Sequence, residues 1–157
     1  QGPASYSHHG AATLPESTSM GVHIRLIAGS GFCLQSPVPV RSPTLYAEIR
    51  MAAAAHLQVP TEHPERALYV ISGEVEVDGQ AIAPGQLAIL PEAVDVVLQA
   101  CSEAHLVIIG GASLGPRRMN WNFVASDPAL IERARARWAA GDWPTVPGET
   151  RRIELPR

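Results

Sequence analysis

Metal ligation, acid–base catalysis and nucleophilic attack each need a few reactive side chains in one place, and this sequence supplies them sparsely. Its six histidines fall into three groups. His8 and His9 are adjacent in a small, polar opening, where such a pair can pick up metal adventitiously without being a built site. His23 and His105 lie in strand-like runs and read as surface or half-buried residues. His56 and His63 bracket the Gln58–Glu62 turn; with Glu65 they make one conceivable ligand set, although the spacing does not demand it. Cys33 and Cys101 stand alone, without CxxC spacing. They read as small hydrophobes in a reducing, cytoplasmic setting, with a disulfide or a reactive thiol as the alternative. All 12 basic residues are Arg, so neither Schiff-base lysine nor phosphate-loop lysine chemistry is available. No GxSxG elbow, phosphate loop or GxGxxG occurs. Glu74 and Glu76 alternate along one strand and share a face, which reads as a solvated strand rather than a glycosidase pair.

The elements that would position these groups are mostly strands. Residues 1–20, QGPASYSHHGAATLPESTSM, have linker composition. From Gly21 the chain becomes a series of short β-rich runs: GVHIRLIAG, TLYAEIRM, RALYVIS, EVEV, QLAIL, VDVVLQA and AHLVIIGG. Turn chemistry separates them at Ser72-Gly73, Asp78-Gly79, Pro84-Gly85 and Gly110-Gly111. Many short strands at this spacing predict an all-β antiparallel sandwich or barrel over residues 21–126. One helix is predicted from Asp127 to Ala140, with Asp127 as N-cap, Pro128 at the first position and Gly141 as the stop. Leu130, Ile131, Ala134 and Trp138 form its apolar stripe, which docks either on the chain's own barrel or on a neighbour. Residues 127–157 are therefore read as helix and tail.

At 157 residues, 46% hydrophobic and 17% charged, the chain is one folded domain rather than a disordered segment. A net charge of −3 argues against direct nucleic-acid binding by bulk electrostatics. Residues 117–157 carry eight Arg and five acids, against four Arg and ten acids before them, giving +3 on the tail and −6 on the barrel. The tail is thus expected to fold onto an acidic surface. No apolar run reaches the ~20 residues of a membrane span, and no signal peptide opens the chain. The first residue is Gln1 rather than Met, so an upstream segment is expected.

The stretch GGASLGPRRMNWNFVAS (residues 110–126), then ERARARW and WPTVPG, resembles the C-terminal signature of the pirin family. Further matches are LIAG at 26–29, SPV at 36–38 and PERALYVISGEVEVDG at 64–79, in the family's order. The resemblance implies a cupin jelly-roll barrel that is the C-terminal half of a two-barrel protein. It also implies iron in the N-terminal barrel of the parent, and quercetin dioxygenase or transcription-cofactor roles for the whole. The partner it implies is that N-terminal cupin domain, with a homodimer of this chain as a further possibility.

A cupin's first metal motif, H-x-H, three or four residues, E, six residues, G, can be laid on Gly73. Arg66 then stands at the carboxylate position, and Pro60 and Glu62, or Val59 and Thr61, at the histidine positions. The later histidine lands near Asp95 or Val96. The register leaves no metal ligand, and a permanently charged guanidinium would repel a divalent cation. Pointing inward, Arg66 would call for a carboxylate, Glu48 or Glu62; otherwise it sits in water at the barrel mouth. The chain is therefore expected to carry no catalytic residue, cofactor or metal of its own. The rival readings are a single-cupin enzyme using His56, His63 and Glu65, or a small-ligand carrier using an empty barrel.

Overall fold

The computed structural model describes residues 6–145, 147–149 and 151–156. It divides into two units, Gln1–Ser113 and Leu114–Arg157.

In the first unit, eleven strands follow a 3-10 turn at Ala11–Thr13. They are β1 (Glu16–Ser19), β2 (Val22–Gly31), β3 (Leu34–Gln35), β4 (Thr44–Met51), β5 (His56–Val59), β6 (Glu65–Ser72), β7 (Val75–Val77), β8 (Gln80–Ile82), β9 (Leu87–Leu90), β10 (Val96–Ala100) and β11 (Ala104–Gly111). One sheet runs β1-β2-β4-β11-β6-β9, with β3 hairpinned onto β2, and a second runs β5-β10-β7-β8; every pairing is antiparallel. Neighbours such as β4 and β11 are distant in sequence, the crossing connectivity of a jelly roll.

Strict alternation explains why these runs are strands. Leu45, Ala47, Ile49 and Met51 of β4 are buried while Tyr46 and Arg50 face outward. Inward residues of both sheets merge into one apolar core, with Leu26, Leu45, Ile49, Leu68, Leu98, Leu106 and Ile108 all essentially sealed from solvent. The Asp78–Gly79 turn adopts the left-handed pair of φ values, 50° and 79°, that a two-residue hairpin needs. A bulge between Leu26 and Ala28 on β2 frees the Ile27 carbonyl, which accepts from Ser36 Oγ at 2.8 Å.

Two expectations change here. The segment read as linker contains β1, whose four residues are all exposed. It carries no apolar alternation, so only its pairing with β2 reveals it. The barrel strands end at Gly111 rather than near residue 126.

The second unit holds β12 (Arg118–Asn120) and β13 (Phe123–Ala125), a hairpin, and α1 (Pro128–Ala140), which packs against it. Asp127 Oδ1 accepts from the Ala129 N–H at 2.9 Å, and Gly141 ends the helix at φ 75°. Ile131 is buried and Leu130, Ala134 and Trp138 are half-buried, as the stripe requires. Trp138 lies edge-on to Trp121 (5.2 Å) and Trp143 (5.9 Å), and Phe123 stacks on Trp143 at 6.1 Å. Arg137 covers Trp143 at 4.9 Å, and Trp138 Nε1 donates to the Ile153 carbonyl.

Among the described residues, no helix is long and apolar enough to cross a membrane.

Candidate functional site

The position that the motif register gives to a carboxylate is occupied by Arg66, which is buried inside the barrel. On β6 it alternates inward with Leu68 and Val70, between Leu90 of β9 and Gly110 of β11, and is 2% exposed. Gly110 is required at this crossing. A Cβ there would stand 2.5 Å from the Glu65 carbonyl and 3.2 Å from Arg66 Cγ.

Arg66 is not partnered by Glu48 or Glu62, nor is it in water. Nη1 donates to the Pro60 carbonyl at 3.0 Å, and Nη2 to the carbonyls of Pro91 (2.5 Å) and Val94 (2.9 Å). Nε is buried without a partner. Burying a cation costs several kcal/mol, and charge-assisted bonds worth about 1.5–3 kcal/mol each are what offset it. Turned-in carbonyls suffice because their dipoles converge on the guanidinium fork, which has five donors to place. Glu62 is exposed. Glu48 lies on the opposite face of its sheet, within 3.1 Å of Arg25 and 2.9 Å of Arg50.

Arg66 thereby ties β6 to the loop after β5 and to the loop between β9 and β10. The first loop carries Pro60 and the second ends at Asp95, next to Val96 of β10, positions where the motif register puts histidines. The residues present do not fit a metal: a fixed cation occupies the pole, and the donors around it are carbonyls already engaged by N–H groups. The alternative set is not gathered either. His56 and Glu65 are exposed on β5 and β6. His63 is 3% exposed and its Nε2 donates to the Ser30 carbonyl at 2.9 Å, while Nδ1 is buried without a partner. Among the described residues, no cluster of three or more His, Cys, Asp or Glu could hold a metal ion.

The two cysteines, read from their isolated spacing as small hydrophobes, are free and exposed. Partial desolvation, then the charges of Glu74 and Glu76, pushes the Cys101 thiol up and away from reactivity.

Sequence reasoning missed an ion-pair network on the outer face of the larger sheet. Glu16 accepts from Arg25 Nε at 2.6 Å and meets His23 at 3.3 Å. Glu48 bridges Arg25 and Arg50, and His105 Nε2 lies 3.0 Å away without hydrogen-bond alignment. Burial alone would raise the Glu48 carboxyl, but the Arg50 hydrogen bond and the charges of Arg50, Arg25 and His105 hold it below its ordinary value. The Arg25 and His23 contacts lower Glu16 likewise. An open cleft of about 720 Å³ adjoins the network, lined in part by Thr18, His23, Arg50, Ser72, Glu103 and His105. The signal in sequence was the outward position of each charge; finding the pairs required the strand register, Glu16 opposite Arg25 opposite Glu48.

The fold is a two-sheet jelly roll, and a quercetin 2,3-dioxygenase from Acinetobacter baumannii shares it. Its TM-score is 0.81 at 21% identity, over 92% of this chain and 50% of that one. Residues 46–144 match the family model for the pirin C-terminal cupin domain, and the chain belongs to that family. A pirin-like protein of Caulobacter vibrioides is 41% identical over 138 residues, covering 87% of this chain and 48% of that protein. A putative quercetin 2,3-dioxygenase of Pseudomonas aeruginosa is 34% identical over 140 residues, 87% of this chain and 44% of that protein. Mouse pirin is 31% identical over 131 residues, 74% of this chain and 45% of that protein. The chain thus spans about half the length of the curated relatives it matches.

Proposed function

We propose that this chain acts as the metal-free C-terminal cupin of a pirin-like protein and supports a metal-bearing N-terminal cupin. The observation that carries this reading is the buried guanidinium of Arg66. A barrel whose ligand pole is filled by a fixed cation is built as a scaffold, with its fold retained and its metal chemistry given up. The half-length match to relatives supports it, because the matched region leaves a second half of similar size in each of them. Dioxygenase chemistry on a quercetin-like substrate, with iron, is then a property of the parent's other half. The two exposed free thiols are consistent with a reducing, cytoplasmic setting.

Elemental analysis of the chain purified without a histidine tag, after chelation and re-addition of iron, tests this. The expected result is below about a tenth of a metal per chain. Near-stoichiometric metal that His56→Ala or His63→Ala abolishes would replace the scaffold reading with a single-cupin enzyme.

A further inference from the structure

The open cleft beside the ion network has no part in a scaffold. By strand register, Thr18 of β1, His23 of β2, Arg50 of β4, His105 of β11 and Ser72 of β6 form one cross-strand row, and all five line the cleft. Each of these side chains can donate a hydrogen bond, and none is a carboxylate. The carboxylates Glu16 and Glu48 stand in the next row and leave these donors underused. Arg50 commits Nη2 to Glu48 Oε1 at 2.9 Å and makes no other side-chain hydrogen bond among the described residues. His105 Nε2 lies 3.0 Å from the same oxygen but out of alignment, buried without a hydrogen-bond partner. A buried ring nitrogen in that state marks a place where a bond is missing. The rest of the lining is small and apolar. Gly21, Ala52, Ala53 and Gly73 have side chains that stop at Cβ or short of it, and a Cβ at Gly73 would collide with the Glu103 carbonyl. At about 720 Å³ the space suits a small organic molecule rather than a single ion.

We propose that this cleft binds a small carboxylate with an apolar body. The carboxylate oxygens take the free donors of Arg50 and of the histidines on either side of it, and the body lies against the glycine and alanine wall. Three features favour this class of ligand. A planar carboxylate matches the guanidinium fork, and its bonds to Arg50 are charge-assisted. A row of donors without a carboxylate selects an acceptor-rich partner, and the hydroxyls of Thr18 and Ser72 extend that row at both ends. The small apolar wall gives the remainder of the molecule a surface that water wets poorly. A divalent cation does not fit, because among the described residues no three His, Cys, Asp or Glu gather around one point. Glu103 is the one carboxylate among the lining residues and opposes an anion, while Arg50 is the permanent cation. The site lies outside the barrel, so it stands or falls independently of the scaffold reading of Arg66.

Histidine ring signals in NMR spectra of the full chain test the proposal, with benzoate as the probe. Benzamide supplies the body without the charge, and inorganic phosphate the charge without the body. The expected result is saturable movement of the His23 and His105 signals at about millimolar benzoate. The signals of His56, on the smaller sheet, and of buried His63 stay still. Arg50→Gln should weaken binding about tenfold, the loss of one charge-assisted contact. Glu103→Gln should strengthen it about twofold by removing a like charge. Ala52→Phe fills the cleft from an exposed position, leaves every donor in place, and should abolish binding. Benzamide and phosphate should each bind about tenfold more weakly than benzoate or not at all. Unmoved His23 and His105 signals would overturn the site, as would equal movement at His56 or full affinity in Ala52→Phe. Benzamide or phosphate binding as tightly as benzoate would overturn the ligand class.

Discussion

One arginine inside the barrel and an arginine pair on its outer sheet face solve the same electrostatic problem in opposite ways. Arg66 is sealed from solvent, has no carboxylate partner, and donates to three backbone carbonyls. Arg25 and Arg50 remain in contact with water and share Glu16 and Glu48 across three strands. Carbonyls cannot be titrated and carbonyl–guanidinium bonds in the interior are barely screened, so the inner arrangement is permanent. Carboxylates can be titrated and surface pairs are screened, so the outer one is conditional.

The comparison breaks most readily at its inner end. Arg66→Met should cost about 3–5 kcal/mol, measured as the shift of the urea midpoint, because three buried carbonyls lose their donor and two loops lose their tie. Arg66→Lys, which keeps the charge but not the fork, should recover part of that loss. A methionine variant as stable as the native chain would show that Arg66 is not what holds these loops. Next in size, His63→Phe should cost about 1–2 kcal/mol through the unsatisfied Ser30 carbonyl. Full stability in that variant would mean the bond contributes nothing net.

Smaller again, Glu48→Gln should cost about 1 kcal/mol or less at neutral pH and low salt, and less in 1 M salt. Glu16 and Glu48 have carboxyls depressed in the folded state, so their contribution is complete above the ordinary carboxylate value of 4.5 and is lost as pH falls through the folded value. The difference between native and Glu48→Gln should therefore vanish on acidification. The difference between native and Arg66→Met should persist, measured by denaturant titrations at pH 7 and below pH 4. An Arg66 difference that shrank in parallel would place a carboxylate in its environment after all. Smallest of all, Ile89→Thr should change stability by no more than about 0.5 kcal/mol, since its side chain is 83% exposed.

What could be read in advance followed physical signal strength. The β runs, the Asp78–Gly79 hairpin and the Asp127 and Gly141 caps were legible because alternation and turn chemistry are local properties. Arg66 was legible as the residue at the carboxylate position of the motif register, with inward burial and the barrel mouth both open; in the structure it falls in step with Leu68 and Val70. Its partners were not, because a carbonyl belongs to every residue and carries no sequence signal. The pull toward Glu48 came from pairing charges by sign, and the strand register put that carboxylate on the other side of the sheet. β1 escaped notice because an exposed edge strand has no apolar period to read. The break at residue 113 escaped because β12 and β13 resemble the barrel strands in sequence yet pair only with each other.

The aromatic cluster of the second unit makes the molecule its own two-channel reporter. Trp121, Trp138 and Trp143 are all the tryptophans of the chain, and each lies between Leu114 and Arg157. The three tyrosines, Tyr6, Tyr46 and Tyr69, all precede Ser113. Intrinsic emission excited at the red edge thus follows the hairpin-and-helix unit alone, while the loss of far-ultraviolet strand signal follows the barrel. Any offset between the two melting curves reads directly how independently the two units unfold.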